Sequence, residues 1–319
     1  MRERALANIR VEEMRGLEIG PLARPVVDKR RGQVFYVDHA DREELRRKYA
    51  ADDNMRPLLD QIVEVDYVLG ADRTLLQAAG PDGPFDYVIA SHLIEHIPDL
   101  VGWLDDTAAL LRPGGILSLI VPDKRYTFDI NRRVTDISEV VDAHLRHITR
   151  PTPAQAYDFV ARALNGAVDP DAAWAGTDYS QMVRADVDNA DATALEFCRM
   201  TMESTEFLDL HCHVFTPDSF LTVVEKLVHL GLFRYEIAGA FPTERGDIEF
   251  FVSLRLLDEG SDERLRRQQQ LQSIQTARAV LGPATTDMAV SRLERRAILW
   301  KRRALRELRD VRSRWLVKR

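Results

Sequence analysis

The chain has 319 residues, 45% of them hydrophobic and 30% charged, a balance that fits a folded soluble protein of one large domain or two. Its two cysteines cannot build a disulfide framework, which points to a reducing cytoplasm; no apolar run approaches a membrane span, and MRERALANIRVEEMRG lacks the apolar stretch of a secretory signal. The net charge of −7 divides into +9 over residues 291–319, where twelve Lys or Arg face Glu294, Glu307 and Asp310, and −16 over the remainder; the acidic body disfavours nucleic acid.

Short apolar runs alternate with helix-like stretches through the first half, the pattern of βαβ units on a parallel sheet. The runs are Leu17 to Gly20, Val34 to Asp38, Val65 to Val68, Phe85 to Ser91 and Ile116 to Asp123. Between the last two, Asp99 is an N-cap, and Leu100, Trp103, Leu104, Ala108 and Leu111 fall at helical spacing. From Lys124 to Phe215 the pattern loosens into helical pieces and reads as an insertion. Thr216-Pro217 then predicts a helix start and Gly231 its stop. Phe233 to Ala238 and Ile248 to Leu256 complete a seven-stranded sheet with an antiparallel pair at its end. Beyond Leu257 the chain turns charged and Gln-rich, and two helices split by Gly282-Pro283 are expected. The second carries an apolar stripe from Leu293 through Trp300 to Trp315 on a basic helix.

The fold class that follows is α/β: a Rossmann-like doubly wound seven-stranded sheet with the last strand antiparallel, a helical insertion and a C-terminal helical extension. Four segments are expected: 1–123, the cofactor-binding half; 124–215, a substrate or lid insertion; 216–257, completion of the sheet; and 258–319, the basic extension.

A dinucleotide-like cofactor on such a sheet needs close backbone approach after the first strand and an acid at the end of the second. Gly20 and Asp38 supply these, 18 residues apart. The loop between them, GPLARP, has no Gly-rich phosphate cradle, which argues against a pyrophosphate ligand such as NAD. S-adenosylmethionine carries no phosphate and needs none.

Taken in order, GLEIGPL, VFYVD, GADRTLL, FDYVIASHLIEHIPD and LRPGGILSLIVPD resemble the motif series of class I S-adenosylmethionine-dependent methyltransferases, and within these the methyltransferase type 11 group. The S-x-x-x-E-H-x-x-D stretch with the later L-R-P-G-G is the most specific part, and the resemblance covers about residues 15 to 125. It implies that Glu18 and Gly20, with Ile19 between them, line the methionine end of the cofactor. It further implies that Asp38 with its neighbour His39 binds the ribose, that Asp72 or the backbone at Ala71 faces the adenine, and that Ser91 and His92 lie beneath the cofactor. Two departures stand out: Leu22 replaces a second glycine, and Gly70-Ala71-Asp72 is shifted from the usual G-D-A order. The whole pattern, VPDKRYTFD and HVFTP included, is also similar to methyltransferase-like proteins associated with bacterial polysaccharide biosynthesis, which implies O-methylation of a sugar, glycan or other small acceptor.

Methyl transfer is a direct displacement that rests mainly on alignment, and an oxygen nucleophile also gains from a general base. His92, His96 and Asp123 stand at strand ends and are the candidates, although His96 could simply pack and Asp123 could pair with Lys124 or Arg125. Lys124, Arg125 and Tyr126 suit an anionic substrate group, or form a solvated charged turn. Asp209, His211 and His213 would share one face of an extended DLHCHVF. With no fourth ligand evident, hydrogen bonds at the mouth of the cleft, with His211 and His213 toward substrate, are expected rather than a metal. Cys198 and Cys212 read as plain thiols. The 291–319 helix suits self-association, a protein partner or an anionic membrane surface, so the expected location is the cytoplasm, free or at the inner face of the membrane. Two rivals remain: a weakly active or inactive methyltransferase-like scaffold in a polysaccharide-biosynthesis assembly, and a nucleotide-sugar or NAD enzyme on the same sheet. A nucleic-acid methyltransferase is disfavoured because no Asn/Asp-Pro-Pro-aromatic motif follows the fourth strand.

Overall fold

A computed structural model describes residues 1–282 except 54, 71–72, 165–167, 183–188, 204–207, 259 and 261. The expectations for Ala71, Asp72 and the basic helix of 291–319 lie outside the described residues. Among the described residues no helix is long and apolar enough to cross a membrane.

The seven strands are β1 (Arg15–Ile19), β2 (Gln33–Asp38), β3 (Tyr67–Val68), β4 (Phe85–Ser91), β5 (Leu111–Pro122), β6 (Tyr235–Phe241) and β7 (Glu249–Leu256). They form one sheet in the order β3-β2-β1-β4-β5-β7-β6. β1 to β5 run parallel, and β7 lies antiparallel to both β5 and β6. The expected doubly wound sheet with its last strand antiparallel is therefore present. Strand order reverses between β1 and β4, and the crevice at their carboxyl ends is where ligands bind in open α/β sheets.

Alternation along each strand supplies two cores, because successive side chains point to opposite faces. Val88 and Ala90 of β4 and Leu117, Leu119 and Val121 of β5 join Leu17, Val37 and Val252 in the larger one. It is covered by α4 (Leu100–Leu110), α9 (Pro217–Leu230) and α10 (Glu263–Leu281). Tyr87, Ile89, Ile116, Ile120 and Phe251 face the other side, against α1 (Arg2–Ala5) and the residues after it. The short α1 was not legible in the sequence. Its carbonyl at Ala5 accepts the buried Ser118 hydroxyl at 2.7 Å, and Arg4 stacks 4.5 Å over the Phe251 ring.

Several local signals act as their chemistry requires. Asp99 accepts the Gly102 amide at the start of α4, and Thr216 with Ser219 forms a capping box on α9. Gly231 closes α9 in the left-handed region, φ 74°, where a side chain would be strained. β3 is shorter than Val65 to Val68 because Asp66 leaves the ladder: its carboxylate accepts the Tyr36 amide at 2.7 Å while its own amide donates to Tyr36 O. β5 begins earlier than Ile116, running through RPGG with a register shift against β4.

The β1–β2 crossover holds no helix. Pro21 and Pro25 remove amide donors from this stretch, and Glu18 takes over part of the hydrogen bonding a helix would have supplied. Between β5 and α9, the helices α5 (Ile137–Leu145), α6 (Pro153–Arg162), α7 (Pro170–Trp174) and α8 (Ala190–Glu203) form the long excursion. Its ends meet: Lys124 N donates to Phe215 O at 2.9 Å. The remaining helices, α2 (Arg42–Lys48) and α3 (Leu75–Ala79), follow β2 and β3.

Candidate active site

The reversal point opens beside Gly20 and Asp38. Gly20 holds φ 67°, its amide donates to Val37 O at 2.8 Å, and among the described residues no atom beyond its two chain neighbours lies within 4 Å of where a Cβ would stand. The backbone is thus bare toward the crevice. Asp38, only 5% exposed, accepts the His39 amide on Oδ1 at 2.7 Å, while its Oδ2 is buried without a hydrogen-bond partner among the described residues. A carboxylate oxygen held dry with spare acceptor capacity suits ribose hydroxyls. The acid at the second strand end and the bare glycine together fit the S-adenosylmethionine that the motif resemblance implies.

The other expected cofactor contacts differ in how their side chains are engaged. Glu18 points behind the loop: its two oxygens accept the amides of Val26 and Val27 at 2.6 and 3.0 Å, so it shapes the crossover instead of touching a ligand. Burial raises its carboxyl to about 7 against the pull of those two amides. The Ile19 side chain lies in the larger core, which leaves only its backbone for a cofactor. His39 is half exposed, with Nδ1 2.7 Å from Asp38 Oδ1 and Nε2 3.2 Å from Lys48 Nζ.

Ser91 ends β4, and His92 follows it with φ 49°, a conformation uncommon for a residue with a side chain. His92 is fixed there by its amide, which donates to Ile120 O, and by its ring, whose Nε2 is 2.7 Å from Glu249 Oε2 at the start of β7. Burial opposes charge on this imidazole, but the Glu249 hydrogen bond and the Glu95 and Glu249 charges outweigh it and raise its pKa. Glu249 was not singled out in the sequence, where it reads only as a strand residue.

A chain of polar contacts runs from Asp38 along the crevice. Beyond His39, Lys48 Nζ lies 3.6 Å from Asp209 Oδ2, and Asp209 Oδ1 lies 2.9 Å from His96 Nδ1. His96 packs edge-on against His211, ring centroids 4.6 Å apart. His211 Nδ1 is 2.6 Å from Asp129, which in turn pairs with the buried Arg132 at 2.9 Å. Burial lowers the His96 pKa, but Asp209, Glu95 and Asp129 together outweigh this and leave it raised; His96 in turn holds Asp209 down at about 2.

Asp209, His211 and His213 do not share a face. Residues 209–213 are irregular, Asp209 turns to His96, and His211 turns to Asp129. His213, 1% exposed and stacked on Phe215, is a core residue whose imidazole burial pulls down to about 4, so the expectation that it meets substrate is corrected. Asp123 is corrected in the same way: it is fully buried, and its oxygens accept from the Arg125 guanidinium and the Thr243 hydroxyl, leaving no free base. Lys124 is tied to Ile130 O at 2.8 Å. Lys124, Arg125 and Tyr126 all stay partly accessible, with Tyr126 stacked flat on Trp174 at 4.0 Å.

A family model described as a methyltransferase domain matches residues 2–165, just over half of the chain. No curated protein matches the sequence. Among solved structures, an S-adenosylmethionine-dependent methyltransferase from Mesorhizobium loti is 14% identical, with 80% of this chain and 98% of that chain covered and a TM-score of 0.39. One from Methanosarcina mazei is 16% identical over 79% and 96%, TM-score 0.38. A Rhodobacter sphaeroides protein described among the zinc-dependent alcohol dehydrogenases is 17% identical over 80% and 88%, TM-score 0.41. At these identities and scores the likenesses bear on neither substrate nor mechanism.

Proposed function

The chain belongs to the methyltransferase-domain family and depends on S-adenosylmethionine, and on that premise we propose that it methylates an oxygen of a small hydroxylated acceptor, a sugar or glycan unit of the kind handled in polysaccharide biosynthesis. The observation that carries this reading is His92, strained at the end of β4 and oriented by Glu249 beside the crevice. Bound S-adenosylmethionine supplies a methyl group on a sulfonium, already activated for displacement. Asp38 holds the ribose, and the bare backbone at Gly20 admits the methionine end. An alcohol is a poor nucleophile at neutral pH and benefits from a base in the transition state. His92 takes the hydroxyl proton as the new O–CH3 bond forms and the S–CH3 bond breaks, and a neutral thioether leaves. Glu249 keeps the ring in place and stabilises the imidazolium that results. The residues of 124–215 wall the acceptor side, where Arg125 and the Tyr126–Trp174 stack offer a cation and an aromatic platform.

The test is transfer of labelled methyl from S-adenosylmethionine to a panel of mono- and oligosaccharides, alongside carboxylic acids, amines and RNA. Label on sugar hydroxyls alone supports the reading. Label on amines or RNA, or no label from a protein that binds S-adenosylhomocysteine, refutes it.

A further inference from the structure

The proposed transfer uses Asp38, Gly20 and His92 and leaves three neighbouring groups without a task. Glu95, His96 and His211 each bring one potential ligand atom to within 4.8 Å of the others. We infer that these three residues bind a divalent cation of the zinc and cobalt class, with open positions facing the acceptor.

Glu95 carries the argument. It is 2% exposed, and neither carboxylate oxygen has a hydrogen-bond partner among the described residues. The nearest ion-pair contact is His92 Nδ1, 3.8 Å from Oε1. A dry carboxylate is expensive unless something compensates it, and a metal ion compensates it fully. His211 is arranged as metal-binding histidines commonly are, with Nδ1 hydrogen-bonded to the Asp129 carboxylate, and His96 has a carboxylate 2.9 Å from its Nδ1, a close ion-pair contact without hydrogen-bond geometry. Asp209 stands at His96 Nδ1, and Asp129 at His211 Nδ1. The two segments are also clamped together by backbone, since the amides of Cys212 and His213 both donate to Glu95 O, at 2.6 and 3.0 Å. Arg132 donates to His211 O at 2.9 Å and fixes Asp129 from behind. The backbone that carries the donor set is thus placed before any metal arrives.

The ligand types select the ion. Two imidazoles and one carboxylate suit zinc and its neighbours better than calcium or magnesium, which prefer all-oxygen shells. Ligands at zinc distances stand roughly 3.4 Å apart in a tetrahedron, so closing the site calls for side-chain shifts of about an ångström. Three protein ligands leave a coordination position open, the arrangement of catalytic sites and not of structural ones. If the methyl-transfer reading also holds, on which this last step rests, the cation would take the acceptor hydroxyl and lower its pKa, so that His92 removes a proton already loosened.

The test uses the full-length chain with its affinity tag removed and metals stripped by chelator. Co2+ is titrated in by calorimetry and by visible absorption, and S-adenosylhomocysteine is titrated separately. One equivalent of Co2+ with d–d bands, bleached by Zn2+, is expected. Glu95→Gln and His211→Asn should weaken Co2+ at least tenfold while binding S-adenosylhomocysteine within threefold of wild type, which certifies their fold. If both misfold, Asp209→Asn decides, at a position whose side chain is 53% exposed: tenfold weaker Co2+ supports the site, and unchanged affinity overturns it. A wild-type protein that binds S-adenosylhomocysteine but no Co2+ overturns the site and leaves the methyltransferase reading intact. Co2+ binding without S-adenosylhomocysteine binding does the reverse.

Discussion

Asp38→Asn is the most discriminating change in the cofactor half, because it alters one oxygen and little else. In the wild type, Oδ1 is occupied by the His39 amide and Oδ2 is buried without a partner. The variant can keep its carbonyl oxygen on the His39 amide and present its NH2 where Oδ2 stood. That NH2 cannot accept from ribose hydroxyls, so the two charge-assisted hydrogen bonds offered to the carboxylate are replaced at best by neutral ones in which the amide donates to ribose oxygens. Hydrogen bonds to charged groups contribute about 1.5–3 kcal/mol and neutral ones about 0.5–1.5, so the loss is about 2–3 kcal/mol, or roughly 30- to 150-fold in Kd. The free protein should not suffer, because a buried oxygen with no partner has been exchanged for a neutral group. Calorimetry with S-adenosylhomocysteine measures the first effect and thermal unfolding without ligand the second. Ligand at a hundred times the wild-type Kd should stabilise the wild type by about 2.7 kcal/mol, and a variant weakened a hundredfold by only about 0.4. Binding within threefold of wild type would refute the assignment of Asp38 to the ribose. A falling Tm in the free variant, with affinity retained, would show instead that Asp38 serves the fold.

Three further outcomes follow from the same geometry. Glu18, with a folded pKa raised from 4.5 to about 7 by burial, favours the folded state most below pH 4.5 and loses that contribution as pH climbs to about 7, since the folded state binds more protons in that window. The stability of Glu18→Gln relative to wild type should therefore improve across this range, by an order of magnitude of 3 kcal/mol; urea unfolding at pH 4.5 and 7.5 reads it, and a flat difference refutes it. His92→Gln should lower kcat by about 10²-fold or more and Glu249→Gln by less, both with S-adenosylhomocysteine affinity within threefold of wild type; activity retained in His92→Gln removes it as the base. Asp123→Ala should cost about 3–5 kcal/mol of stability, because the Arg125 guanidinium and the Thr243 hydroxyl lose a fully buried partner; a stable Asp123→Ala protein with reduced kcat would restore a catalytic role to this residue.

The readings that held are those whose cause is local. Leu100, Leu104 and Ala108 recur at helical spacing behind a capping Asp99, and Thr216-Pro217 and Gly231 bracket a helix by hydrogen bonding and φ alone. The place of Asp38 at the end of the second strand was legible for the same reason, and its ribose contact is what the Asp38→Asn experiment tests. Asp123 and His213 misled because their types suggested chemistry while burial, which neighbours far along the chain decide, made them structural. Asp129, Asp209 and Glu249 were missed as partners because each meets its histidine across at least 82 residues of sequence, and no periodicity carries such a pairing. One signal was nonetheless available. In SHLIEHIPD, Glu95 is a carboxylate set between the apolar Ile94 and Ile97, where a charge is retained only if something compensates it. That HCH, more than a hundred residues later, comes to lie against Glu95 is a fact of topology: the long excursion after β5 must return to Phe215 beside Asp123, and on its way it lays Cys212 and His213 against the backbone of Glu95. The excursion proposed to wall the acceptor side therefore also brings His211 to Glu95 and His96, so changes in its length should disturb Co2+ binding and acceptor choice together while leaving the Asp38 end of the crevice unaffected.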